Sequence, residues 1–211
     1  MAYLLEKEEV AYFMRRLYEK NLTTTSGGNL SMKINDNTIL VSPSSLDKGR
    51  MNGGQIAEIT LSGKNLTPEL VPSIETNIHL AIYRKRPDVT AVVHAHPVIA
   101  TAFTAMNKLI NTNLVAEARS ILGLPVMTKY APMGSKELAA IISDAVSQGN
   151  VMLMENHGIL TVGNSLLQAF DRIEVLESAA KMTLITELLH DKRELSEERI
   201  KEIDSAISYI R

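Results

Sequence analysis

Val89-Thr90-Ala91-Val92-Val93-His94-Ala95-His96-Pro97 is the stretch on which the reading of this chain turns. Residues 89–94 have the β-branched content of a buried strand. Residues i and i+2 of a strand share a face, so the imidazoles of His94 and His96 converge on one point. Pro97 brings no N–H to a sheet ladder and leaves that point at an open sheet end. Proline suits a first helical turn, and a helix is expected over Pro97–Met106. Upstream, Ile74, Ile78 and Ile82 predict a helix that stops before Pro87.

Working outward, Leu5, Val10, Phe13, Met14 and Leu17 place an amphipathic helix over residues 3–20. Two short strands, Asn29–Ile34 and Thr38–Ser42, flank the tight turn Asn35-Asp36-Asn37. A further strand is expected over Ile56–Leu61, closed by Ser62-Gly63. The second half reads as a helix after Gly134, strands at Val151–Met154 and Ile159–Val162, a long helix from Ser165 to Leu189, and a last one over Ser196–Ile210. Helices alternate with strands, yet several neighbouring strands are joined by short turns. That pattern predicts an α/β fold with helical layers around a mixed, largely antiparallel sheet, not a Rossmann fold. Ser26-Gly27-Gly28-Asn29 leads into a strand, which is the wrong context for a dinucleotide fingerprint or a Walker A loop.

At 211 residues, one domain spanning 1–211 is expected. Acidic residues number 24 and basic ones 22, a net charge of −2 with no concentrated positive stripe for nucleic acid. Cysteine is absent, which excludes disulfides, thiolate metal sites and a cysteine nucleophile. Glu6, Lys7, Glu8 and Glu9 follow Met1 too closely for a secretory leader. The longest apolar stretch, Val89 to Met106, is cut by His94, His96 and Pro97. No membrane span and a cytoplasmic location are therefore expected.

A third histidine, His157, sits in Glu155-Asn156-His157-Gly158 between two apolar strands, where a tight turn would present it. Three imidazoles without a thiolate are the ligand set of a catalytic Zn²⁺ site with an open position. His79 and His190 lie on helices and read as surface or structural residues; a Glu75–His79 metal pair would lack a third ligand. Glu75 follows Ser73, a natural N-cap, and suits the helix dipole. Beside a metal-bound substrate its carboxylate could also move a proton. The loops Thr23–Asn29 and Ser42–Ser45 hold hydroxyls and glycine-exposed N–H groups that could cradle a phosphate without much net charge. Ordinary turn composition accounts for either loop equally well.

Taken in order, Ser26-Gly27-Gly28-Asn29-Leu30-Ser31, Ser42-Pro43-Ser44-Ser45, Pro72-Ser73-Ile74-Glu75, His94-Ala95-His96 and Asn156-His157-Gly158 resemble the class II zinc aldolases. Within them the likeness is to the L-fuculose-1-phosphate aldolases and the L-ribulose-5-phosphate 4-epimerases. The resemblance implies a three-layer α/β/α subunit and a homotetramer with active sites at subunit interfaces. It implies one Zn²⁺ per subunit, held by His94, His96 and His157, with Glu75 as catalytic acid/base. It further implies a phosphorylated sugar held by Asn29, Ser44, Ser45 and Ser73, with Ser26 assisting. Tyr209 resembles a family tyrosine that reaches a neighbouring subunit's site.

The implied reaction is retro-aldol cleavage of L-fuculose 1-phosphate to dihydroxyacetone phosphate and L-lactaldehyde. Epimerisation of a pentose phosphate and dehydration of methylthioribulose 1-phosphate are alternatives on the same fold. A non-catalytic, adducin-head-like interaction domain is a third, which would be expected to have lost the ligands. The chain departs from the family pattern in two places. Ile74 stands where a second serine is common, and Val115 falls where the fuculose enzymes carry a catalytic tyrosine. Glu117 and Tyr130 are the other candidate contributors from that segment.

Overall fold

The computed structural model describes residues 2–210, with side chains through residue 206. Helix α1 (Leu4–Glu19) buries Val10, Ala11, Phe13, Met14 and Leu17, the stripe that their spacing predicts. The hairpin β1 (Asn29–Asn35) and β2 (Thr38–Val41) turns through Asp36-Asn37, where the Asn35 side chain accepts the Asn37 N–H at 2.9 Å. After β3 (Ala57–Thr60) come α2 (Thr76–Lys85), β4 (Ala91–Ala95) and α3 (Val98–Phe103). Then follow α4 (Ala116–Leu122), β5 (Val126–Thr128), α5 (Lys136–Ala145), the hairpin β6 (Val151–Met154) and β7 (Gly158–Gly163), α6 (Leu166–Leu189) and α7 (Glu197–Ile210). Ser135 and Ser165 cap α5 and α6, their hydroxyls accepting the N–H groups of Leu138 and Gln168.

The described strands form one sheet in the order β3-β2-β1-β4-β7-β6-β5. Every neighbouring pair is antiparallel except β5 with β6. The sheet is thus mixed and largely antiparallel, as expected. Side chains alternate between its faces. Leu30, Leu40, Val93, Leu153 and Ile159 pack with α1, α3, α4 and α6. Ile39, Val41, Val92, Met152 and Leu160 pack with α2 and α5 on the other side. The result is three layers, α/β/α.

Two elements escape the periodicity analysis. Helix α4 has seven residues and β5 three, of which only Thr128 is buried, so neither carries enough pattern to register. β4 begins at Ala91 instead of Val89, because the Val89 N–H closes a turn onto the Arg86 carbonyl. His190 is exposed and ends α6 in the left-handed region at φ 51, a structural position. Among the described residues no helix is long and apolar enough to cross a membrane.

Candidate metal centre and cleft

The pleat of β4 turns Val92 and His94 toward α2, while Val93 and Ala95 face the opposite layer. In the β1–β4 ladder Asn29 stands directly across from His94, so the two side chains lie next to each other on that face. His96 lies just past the end of β4, its N–H bonded to the Leu22 carbonyl at 2.9 Å. His157 is presented by the β6–β7 turn, where Asn156 takes φ 51. Glu75 is the N-cap residue of α2, with no side-chain cap of its own. Ser73, expected to cap that helix, instead accepts the Glu75 N–H at 3.3 Å, one step before the helix begins.

These elements bring three imidazoles and a carboxylate together. Ligand atoms of His94, His96 and His157 lie within 4.8 Å of one another. Glu75 Oε2 is 3.3 Å from His94 Nε2, and Oε1 is 3.1 Å from His157 Nε2. Neither approach has hydrogen-bond geometry: His94 Nε2, Glu75 Oε1 and both ring nitrogens of His157 are buried without a hydrogen-bond partner. His94 donates its Nδ1–H to the Ile159 carbonyl at 2.9 Å, which leaves the Nε2 lone pair facing the cluster. Burial pushes His94 down, and burial followed by its two histidine neighbours pushes His96 down to about 3. Imidazole ring nitrogens that converge without donors between them are a donor set that fits a divalent ion. Burial pushes Glu75 up, but the His94 and His157 rings and the Asn29 amide outweigh it and hold the carboxyl below its usual range.

A directed chain of hydrogen bonds stands behind Glu75. A carboxylate only accepts, so the Asn29 atom 2.8 Å from Glu75 Oε2 is the amide nitrogen. Asn29 Oδ1 must then accept from His79 Nε2–H, at 2.6 Å. His79 Nδ1 accepts from the Ser31 hydroxyl at 2.7 Å, and Ser31 Oγ accepts from the Tyr83 hydroxyl at 2.7 Å. Every proton in the chain is thereby placed. His79, expected to be surface or structural, is fully buried and structural; burial pushes it down to about 3, so it stays neutral.

The cluster opens into a cleft of about 460 Å³ whose walls include Ser26, Asn29, Ser44, Ser45 and Ser73, all five of the expected phosphate ligands. The Ser44 N–H bonds the Val71 carbonyl at 3.0 Å and its hydroxyl the Pro72 carbonyl at 3.3 Å, which fastens the Ser42–Ser45 loop to the Pro72–Glu75 segment. Ser45 holds φ 58, an uncommon conformation for serine. Asn29 already spends one amide hydrogen on Glu75, which leaves one for a ligand. Lys48 also lines the cleft, a residue that the sequence reading missed. Val115, Glu117 and Tyr130 do not line it, and Glu117 lies near Asp171 of α6, in the opposite layer. The Tyr209 side chain lies outside the described residues. Gly158 is required by the site, because a Cβ there would stand 2.6 Å from His96 Cδ2 and 2.9 Å from the Ala95 carbonyl oxygen.

The chain matches the model of the class II aldolase and adducin N-terminal domain over residues 8–184. It is 34% identical over 185 residues to an L-fuculose phosphate aldolase of Methanocaldococcus jannaschii, covering 88% of this chain and 99% of that protein. It is 33% identical over 187 residues to a 3-oxo-tetronate 4-phosphate decarboxylase of Haemophilus influenzae, covering 86% and 88%. A solved structure of L-fuculose 1-phosphate aldolase superposes with a TM-score of 0.90 at 28% identity, over 99% of this chain and 98% of that one.

Two substitutions test the geometry. His79→Leu strands Asn29 Oδ1 and the Ser31 hydroxyl in the core, and each buried orphan costs roughly 1–3 kcal/mol. Urea denaturation should show that loss, and unchanged stability would refute the chain. Gly158→Ala should weaken binding of a divalent ion at the histidine cluster roughly 10- to 100-fold, the range for groups that orient metal ligands. Competition with a chromogenic chelator measures it, and wild-type affinity would show that the ring packing is not limiting.

Proposed function

The chain belongs to the class II aldolase and adducin N-terminal domain family, and on that premise we propose a metal-dependent lyase. It would break a carbon–carbon bond beside the carbonyl of a short phosphorylated sugar, with L-fuculose 1-phosphate as substrate. One observation carries the reading: the unpaired ring nitrogens of His94 and His157, together with His96 and Glu75, face a single cleft that the hydroxyl loops complete. His94, His96 and His157 would hold one Zn²⁺, which supplies the Lewis acid for charge that develops at the carbonyl. An interaction domain without chemistry has no use for such a donor set.

In the cleavage direction the C4 hydroxyl loses its proton and C4 becomes the aldehyde of L-lactaldehyde. The C3–C4 pair passes to C3, delocalised into the C2 carbonyl. The Glu75 carboxyl returns a proton to C3 and completes dihydroxyacetone phosphate. Glu75, ionised at rest, takes up from solvent the proton it gives to C3, and the O4 proton is released to solvent, so the sum balances. In the condensation direction Glu75 starts as the carboxylate and removes that proton, the state its imidazole and amide neighbours favour. Asn29 orients the carboxylate. Ser26, Ser44, Ser45 and Ser73 would hold the phosphate end, with one Asn29 amide hydrogen to spare.

Decarboxylation of 3-oxo-tetronate 4-phosphate is the second reading, favoured by the 33% identity to the Haemophilus influenzae enzyme. It leaves the same kind of carbanion after losing carbon dioxide instead of an aldehyde. The epimerase and dehydratase readings have no comparable support. We place the assembly as a homotetramer with shared sites, in keeping with the family resemblance.

The deciding experiment offers Zn²⁺-loaded protein both substrates. Dihydroxyacetone phosphate is followed through a coupled dehydrogenase and carbon dioxide by its own assay, with EDTA-treated protein as control. Metal-dependent dihydroxyacetone phosphate from L-fuculose 1-phosphate is expected. Decarboxylation also ends at dihydroxyacetone phosphate, so each substrate is offered alone. Turnover of 3-oxo-tetronate 4-phosphate only, with release of carbon dioxide, would replace the aldolase by the decarboxylase, and turnover of neither would reject both. Glu75→Gln should keep its metal and lose roughly 10²- to 10⁴-fold in kcat, whereas His94→Ala should lose metal and turnover together. Near-normal turnover in either variant would reject the role given to that residue.

A further inference from the structure

Lys48 is 1% exposed, among the largest fully buried side chains of the protein, and it lines the cleft next to the serine loops. Its Nζ donates to the Pro43 carbonyl at 2.6 Å, and its N–H to the Thr25 carbonyl at 2.9 Å. It therefore sits where the two hydroxyl loops meet. An ammonium has three N–H groups, and no carboxylate among the described residues pairs with this one. The adjacent Asp47 is turned away, accepting the Gly49 N–H at 3.0 Å and lying 3.8 Å from Arg50. Of the residues lining the cleft, Lys48 is the one lysine or arginine.

A buried cation without a counter-ion is costly, and proteins keep one where a ligand supplies the opposite charge. Burial already pushes Lys48 down to about 8. A tie between loops would need only a neutral donor for the Pro43 carbonyl, so the charge itself requires an explanation. We propose that Lys48 is the counter-ion of the substrate's phosphate, donating to a phosphate oxygen from beneath the Ser44-Ser45 loop while it holds Pro43. This rests on the phosphorylated-sugar reading above. It also changes the character of the cradle, which the sequence presents as hydroxyls and amides without charge.

The test compares metal-loaded wild type, Lys48→Met and Lys48→Arg, with inorganic phosphate and the phosphorylated ketose as probes. Wild-type turnover and the rise in Tm with phosphate come first, and they judge the phosphorylated-sugar reading on their own; if both are missing, the reading and the Lys48 proposal fall together. With both present, Lys48→Met should raise KM roughly 10- to 100-fold, keep kcat within about threefold and lose the phosphate-induced rise in Tm. Its Tm without phosphate should equal or exceed that of wild type, and Lys48→Arg should recover part of the KM. Wild-type KM and phosphate response in Lys48→Met would overturn the proposal while leaving the reading intact. So would a fall in Tm and kcat at constant KM, which marks a structural tie. A borohydride-trapped adduct on Lys48, read by mass, would overturn it too. Should Lys48→Met fail to fold, the same comparison is made on Lys48→Gln.

Discussion

The buried carboxylate of Glu75, 5% exposed, lies against two imidazoles and an amide at the ends of three adjacent strands. An anion so placed survives only if its surroundings offer donors and positive potential at fixed positions. β1, β4 and β7 are neighbours in the sheet, and Asn29 and His94 are ladder partners, so the floor of the site is as rigid as the sheet itself. The carboxylate descends from the other layer, at the start of α2. A slip of one residue in the β1–β4 register would turn Asn29 and Ser31 to the opposite face. It would remove the Asn29 amide from Glu75 and break the chain behind it.

That chain gives the geometry around Glu75 a second means of support. Asn29, His79, Ser31 and Tyr83 hand hydrogen bonds on in one direction, so the amide cannot flip without leaving two lone pairs or two protons opposed. Burial pushes His79 down and Tyr83 up, which keeps both neutral, and the chain carries no charge into the core. Only the Glu75 end is ionised. Directionality, more than the strength of any one bond, is what holds the carboxylate at the cluster.

The sequence made the layers, the mixed sheet and the convergence of His94 with His96 legible, because each rests on a local period: 3.6 for helices, two for strands. The Ser42–Ser45 and Ser73 positions could be singled out by composition and by the family resemblance, and the cleft does bring them together. Short elements were hidden, since α4 and β5 are set by their neighbours and not by their own pattern. For His79 the sequence offered only a surface or structural role, and the fold makes it structural. A histidine on an amphipathic helix looks alike whether it meets water or Ser31 across 48 residues of chain. Lys48 shows the converse, because residue type places a lysine outside and only the meeting of two loops, 23–29 and 42–45, puts it inside.

The two enzyme activities found among the relatives look different on paper but place one demand on a site: an electron pair left on carbon beside a carbonyl must be accommodated. Converging imidazoles beside a carboxylate are the kind of centre that can meet that demand for either leaving group. The two reactions differ at the leaving fragment, an aldehyde in one and carbon dioxide in the other. Val115, the N-cap residue of α4, packs against the core and lies outside the cleft. The described residues bring the three imidazoles, Glu75 and the serine loops to one cleft. An aldolase, unlike a decarboxylase, also needs a group to take the proton from the hydroxyl of the departing fragment.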